Sequence, residues 1–372
     1  MPTLSVVLPG VLPVDEAGRV AIDDKTMSGL TRLADHWPGM LVAASVPGPP
    51  SSAGVSDRWH RLGDLPFEVF TDKHILGAAT RPLPDLILAP YLPATAALGA
   101  VPHLLVPVLE FAPEALAAEH SRSADVVSST RPRVGAWRQG RETDALVRRV
   151  RGVQCNGHPA HDRFSSIARS ALLYFDSRIT RQHLDDARAA VRNPPRQTVR
   201  LCFSGRLIAA KGPRFAIELS SRLRSHGVDV ETTVLGTGTQ LDELRAIAGK
   251  EVTFRGHLPF DPDWTTFVRD NVDLMVLPHP FGDPSGTYLE SAGCGVPPLG
   301  FDNAALKALV RRHGLGWAVQ TSDATALERA AVNILDNPAQ WTARREAGLA
   351  FMDQHDVDTT SARRVEHLTS LL

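Results

Sequence analysis

The sequence predicts an α/β protein built as two domains, each a parallel sheet whose strands alternate with helices. Three observations predict it. A chain of 372 residues is too long for one small hydrophobic core. Short, continuous apolar runs such as PDLILAPY and VDLMVL recur between amphipathic stretches, the pattern of strands buried on both faces and joined by crossover helices. Between Arg188 and Thr198 the run RAAVRNPPRQT breaks all periodicity, and after it the strand pattern starts again.

Composition narrows the function classes. An apolar fraction of 43% is globular, and a formal net charge of -1 argues against a surface built for nucleic acid, for which no motif appears either. Cys155, Cys202 and Cys294 are odd in number and unclustered, which predicts a reducing, cytoplasmic setting without a disulfide framework. The opening stretch MPTLSVVLPGVLPVDE lacks a basic leader and is broken by prolines, so it reads as a first strand. No other run reaches membrane-spanning length without charge, and a soluble or at most peripheral protein is expected.

In the first half, Leu4 to Gly10 opens as a strand, but the following VLPVDEAG carries no G-x-G-x-x-G, which removes the main support for a dinucleotide site. A helix is expected over Thr26 to Asp35, a strand over Gly39 to Ser45 and a loop over Pro47 to Ser56, before the strands PDLILAPY and HLLVPVLEF. Residues 131–151 hold seven arginines against Glu142 and Asp144. Such a run is either a solvated helix face or a surface for anionic partners. His158, His161 and Asp162 read as a capped turn, because a zinc site needs a further ligand from an ordered cluster.

The second half begins with a strand, Val199 to Gly205, and a loop that leads to a helix with Pro213 at its start. Ala216, Leu219 and Leu223 lie on one face of that helix, and Gly227 ends it. Arg206 and Lys211 flank the loop, where two cations beside free backbone N–H groups suit a diphosphate; the alternative is a pair of ordinary surface charges. The stretch Leu277 to Asn303 carries the most information. A buried strand there runs into a loop of Gly282, Asp283, Pro284, Ser285 and Gly286, and TYLESAGCG follows as a short helix closed by Gly295. In a doubly wound sheet that loop lies at the carboxyl edge, where ligands bind, and the first-turn N–H groups form an anion or hydroxyl site. Glu290, one turn into the helix, suits the vicinal hydroxyls of a ribose; otherwise it is an exposed acid favoured by the helix dipole. Residues from Pro338 onward read as helical.

The GRxxxxKG of residues 205–212, VETTVLGTG with Gly236 and Gly238, VTFRGHL, Glu290 with SAGCGVP, and GLGWAV follow one another as they do in one family. From Val199 to Val319 the chain resembles the retaining nucleotide-sugar glycosyltransferases of GT-B type, the large family numbered four. More weakly, VLEF, the Asn156-Gly157 stretch with Pro159, and YFDSR resemble a bacterial subset that builds polysaccharides.

The resemblance implies two Rossmann-like domains facing across a cleft. Residues 1–190 would bind the acceptor and 198–354 the donor, with a helix over 355–372 packing back on the first domain. It also implies transfer with retention, no metal, and no cofactor beyond the nucleotide-sugar donor, with Arg206 and Lys211 on the donor phosphates beside Gly205 and Gly236.

The family has a first Glu eight residues before Glu290, and here that position is Gly282. Asp283, Ser285 and the backbone of Gly286, Thr287 and Tyr288 are therefore expected to hold the sugar. Glu110, at the end of HLLVPVLEF, is the candidate to orient an acceptor hydroxyl, or else a solvated strand-end acid. The acceptor is expected to be a sugar or a lipid-linked group, with the arginine-rich segment meeting its phosphate or the inner membrane leaflet. The rival readings are a sugar-nucleotide epimerase of the same architecture and a binding partner without catalysis.

Overall fold

The computed structural model describes residues 1–52, 54, 57–112, 130–190, 198–282 and 284–372. Among the described residues the chain divides into two compact units, the first made of residues 1–112, 137–178 and 357–372 and the second of residues 130–136 and 179–356.

The first unit opens with β1 (Thr3–Pro13), β2 (Val20–Asp23), α1 (Asp24–His36), β3 (Met40–Gly48), β4 (Asp57–His60) and β5 (Glu68–Thr71). It continues with α2 (Ile75–Ala79), β6 (Leu86–Pro90), β7 (Leu105–Leu109), α3 (Thr130–Val147), β8 (Val153–Asn156), α4 (His158–Phe164) and β9 (Ala171–Tyr174). Seven strands form one sheet in the order β5-β3-β1-β6-β7-β8-β9, all parallel. In β6, Leu86 and Leu88 face one apolar cluster and Ile87 and Ala89 the other. Burial on both faces is why these strands read as continuous apolar runs.

β2 and β4 form a separate antiparallel pair that the sequence does not announce, since DRWH is short and mostly polar. β4 begins at Asp57, just past the loop expected over Pro47 to Ser56, whose first two residues end β3.

The second unit holds α5 (Arg181–Ala189), β10 (Thr198–Ser204), α6 (Pro213–Ser225), β11 (Asp229–Leu235), α7 (Leu241–Ile247), β12 (Val252–Gly256) and α8 (Thr265–Asn271). After these come β13 (Leu274–Leu277), α9 (Gly286–Gly293), β14 (Pro298–Phe301), α10 (Ala304–His313), β15 (Trp317–Val319), α11 (Ala324–Asp336) and α12 (Pro338–Asp353). Its six-stranded parallel sheet runs β12-β11-β10-β13-β14-β15. Val199, Leu201 and Phe203 of β10 pack with Ala216, Leu219 and Leu223 of α6, the face that their spacing predicts.

The unit boundary falls at Arg178/Ile179 and not at residue 190. α5 is drawn into the second unit because Ile179 lies where a side chain on Gly293 would be, 2.6 Å from that glycine's missing Cβ, and Leu184 and Ala187 are buried. Only glycine in α9 leaves room for that contact. α13 (Val357–Thr369) belongs to the first unit, where Val365 and Leu368 join the cluster of Leu4, Leu30, Leu33 and Leu86.

Candidate functional site

In the second sheet β10 has β11 on one side and β13 on the other, so winding reverses between β10 and β13. Ligands in such sheets bind outside the carboxyl ends of the strands at this reversal. The loops leaving β10, β11 and β13 meet there, and glycine is what lets them. Gly236, after β11, has φ +127, and a Cβ on it would lie 1.9 Å from the Gly205 carbonyl oxygen after β10. Gly212 has φ +64, and its Cβ would lie 2.2 Å from the Pro278 carbonyl oxygen after β13. No side chain fits at either place.

Backbone hydrogen bonds tie these loops together. The Gly205 N–H donates to the Leu235 carbonyl (3.0 Å), the Leu207 N–H to Thr237 (2.9 Å), and the Gly236 N–H to Gly256 (2.7 Å). Trp264 Nε1 donates to Ser204 Oγ at 2.8 Å, fixing the exit of β10.

The structure places the predicted site residues as follows. Arg206 is exposed on the β10–α6 loop, and Lys211 is half-buried at its far end, just before Gly212. With Gly205 and Gly236 they sit at the sheet edge described above. Ser285 occupies the N-cap of α9 without making a side-chain capping bond. Gly286 and Thr287 open the helix, so their N–H groups have no intrahelical acceptor. Tyr288 departs from expectation: its N–H donates to the Ser285 carbonyl at 3.2 Å and its side chain is fully buried, so the free first-turn donors narrow to Gly286 and Thr287. Glu290 is 3% exposed, which removes the reading as a solvent-facing dipole acid. It lies close enough to Cys294 to help burial push that thiol up, leaving the cysteine inert. Asp283 lies outside the described residues.

In the first unit Glu110 follows β7 directly. Its Oε1 lies 3.5 Å from Asn156 Nδ2, and Asn156 Oδ1 accepts the Asp176 N–H at 3.1 Å. Asp176 pairs with Lys25 at 2.7 Å. Glu110 thus stands in a polar group at a sheet's carboxyl edge, not alone in solvent. His158 is buried edge-on to Phe175, the packing of a structural turn. Within the arginine-rich run Arg138 pairs with Glu142 at 3.0 Å, and Arg151 Nη1 donates to the Leu371 carbonyl at 2.8 Å. Those two cations are engaged within the unit.

Sequence reasoning misses Asn303, which caps α10 through the Leu306 N–H at 3.0 Å and also reaches back toward β13 and α9. The available signal is FDN before an apolar helix, an N-cap pattern that says nothing of the two backward bonds.

Two Rossmann-like units with a glycine-lined switch point define an α/β protein of GT-B type. The solved structure of Anabaena HepE, in complex with UDP and glucose, is similar over its whole length (TM-score 0.63, 16% identity, 100% of both chains covered).

Residues 198–337 match the family model described as Glycosyl transferases group 1. Among curated proteins, 2-deoxystreptamine glucosyltransferase of Streptomyces kanamyceticus is 24% identical over 176 residues, 46% of this chain and 45% of that protein. The GDP-mannose-dependent monoacylated alpha-(1-6)-phosphatidylinositol monomannoside mannosyltransferase of Corynebacterium glutamicum is 26% identical over 162 residues, 41% of this chain and 42% of that one. The chain thus matches less than half the length of these relatives. Among the described residues, no helix is long and apolar enough to cross a membrane.

Proposed function

We propose that the protein transfers a sugar from a nucleotide-diphosphate sugar to an acceptor hydroxyl, with retention at the anomeric carbon. The observation that supports it best is the meeting of three glycine-bearing loops at the switch point, with Arg206 and Lys211 on the first and the start of α9 on the third. That edge lies within the stretch matching the glycosyltransferase family.

In this reading Arg206, Lys211 and the N–H groups of Gly286 and Thr287 hold the diphosphate and stabilise the charge it gains as the leaving group. The bond from the anomeric carbon to the phosphate oxygen breaks. A bond to the acceptor oxygen forms on the same face, and the acceptor proton passes to a phosphate oxygen. No metal takes part. The relatives named a glucosyltransferase and a mannosyltransferase suggest a hexose as the sugar. The first unit would hold the acceptor, with Glu110 orienting its hydroxyl. A lipid-linked acceptor and a peripheral site on the cytoplasmic face of a membrane would give the arginine-rich segment its role.

A thermal-shift panel of UDP, GDP, ADP and their glucose and mannose derivatives tests the reading. A ligand at a hundred times its dissociation constant adds about 2.7 kcal/mol. No stabilisation by any member of the panel would overturn it. Nucleotide diphosphate released only with acceptor present supports a transferase; sugar isomerised without acceptor would make it an epimerase, and binding without turnover a partner protein.

A further inference from the structure

We propose that Asn303 is a positioning residue for the donor site: its amide sets the segment from His279 to Tyr288, which contains the donor loop and the first turn of α9. The inference rests on the reading of that loop and helix as the place where the nucleotide sugar binds.

Asn303 follows β14 and is fully buried. Its Nδ2 donates twice, to the His279 carbonyl at 2.9 Å and to Tyr288 Oη at 3.0 Å. Its Oδ1 accepts the Leu306 N–H at 3.0 Å. One amide therefore joins the exit of β13, the start of α9 and the start of α10.

Capping α10 alone would not require asparagine, because serine or aspartate caps as well. The two bonds that reach back add nothing to α10. They pin both ends of the His279–Tyr288 segment to a single nitrogen, and the ring of Tyr288 sits beside that of His279, 5.2 Å between centroids. Gly282, Ser285, Gly286 and Thr287 lie between the two pinned points. A loop containing glycines needs such pins to hold its donors in one geometry before the ligand arrives.

The residue type fits the task. Two protons diverging from one nitrogen, with an acceptor on the other branch, are an amide's inventory. An aspartate has no proton to give to the His279 carbonyl, and a serine has one proton where two are used.

The test compares Asn303→Ser, which keeps a neutral capping oxygen, with Asn303→Ala, which keeps none. Melting temperature is read together with the dissociation constant for whichever of UDP-glucose, GDP-mannose and ADP-glucose shifts the wild type most. If Asn303 positions the loop, the serine variant melts above the alanine variant, yet both bind the sugar nucleotide roughly ten- to a hundredfold more weakly than wild type, the size of a small misplacement of binding groups. Wild-type affinity in Asn303→Ser would overturn the inference and leave Asn303 a helix cap. Should that variant not fold, Tyr288→Phe removes one of the two pins and leaves the cap intact; unchanged affinity there would equally overturn it. A wild type that binds none of the three probes would remove the donor reading itself, an outcome distinct from both.

Discussion

At the scale of single residues the two cations and Glu290 carry the sharpest expectations. Arg206→Ala and Lys211→Ala should each lower turnover by roughly 10²–10³, the cost typical of removing one donor that meets developing charge. Steady-state release of nucleotide diphosphate measures it, and wild-type rates in either variant would take the diphosphate away from the β10–α6 loop. Glu290→Gln should weaken ribonucleotides by about ten- to a hundredfold and their 2′-deoxy analogues much less, since a hydrogen bond to a charged group contributes about 1.5–3 kcal/mol. Equal weakening of both, by isothermal titration, would assign Glu290 to the packing of α9.

Arg206, Lys211 and Glu290 stand out from residue types and spacing together with the family resemblance, because charge beside glycine at a strand exit is a local signal. Burial is not local. Whether Glu290 faces solvent or the interior depends on what α5 and α12 bring against α9, and neither contact is written near it in the chain. The double role of Asn303 is hidden for the same reason, since its partners lie 24 and 15 positions earlier.

Among the elements, the loops after β10 and β11 act as one piece. Gly236→Ala places a methyl where the Gly205 carbonyl stands and asks alanine to adopt φ +127. Either the loop of Arg206 moves or the strand ends separate, so the variant should lose on the order of 1–3 kcal/mol of stability and also bind the diphosphate more weakly. A variant with native melting temperature and affinity would show that the two loops accommodate the methyl independently. Strands buried on both faces, such as β6 and β13, are legible because nothing but apolar residues fits between two helical layers. β2 and β4 are not, since the pairing of Ala21 with Trp59 joins short strands that α1 and β3 separate in the chain, which periodicity does not report. The linker expected at Pro194-Pro195 lies outside the described residues, and the unit boundary lies earlier, at Arg178/Ile179, where Ile179 packs against Gly293.

For the whole molecule the two units each carry an acid-sensitive histidine. His367 in the first unit, 3.0 Å from Ser170 Oγ, is held below the ordinary imidazole range by burial. His313 in the second is lowered by burial and by the adjacent Arg312. A folded-state pKa below the unfolded one means that the unfolded chain takes up protons first, so the stability from the neutral rings is present above about pH 6.5 and declines as pH falls through that value toward the folded pKa. The melting temperature should drop between about pH 7.5 and 5.5, and replacing both histidines by glutamine should flatten that slope; an unchanged slope would place the titration elsewhere. The placement of α13 has a consequence for synthesis. Val365 and Leu368 complete a core begun by Leu4 and Leu30, but they are made only after the whole of residues 179–356. Residues 179–356 hold the whole six-stranded sheet of the second unit and can close its core while translation continues. The first must wait with the α13-facing side of α1 uncovered until α13 arrives. On the ribosome the unit that is made first is the one that finishes last.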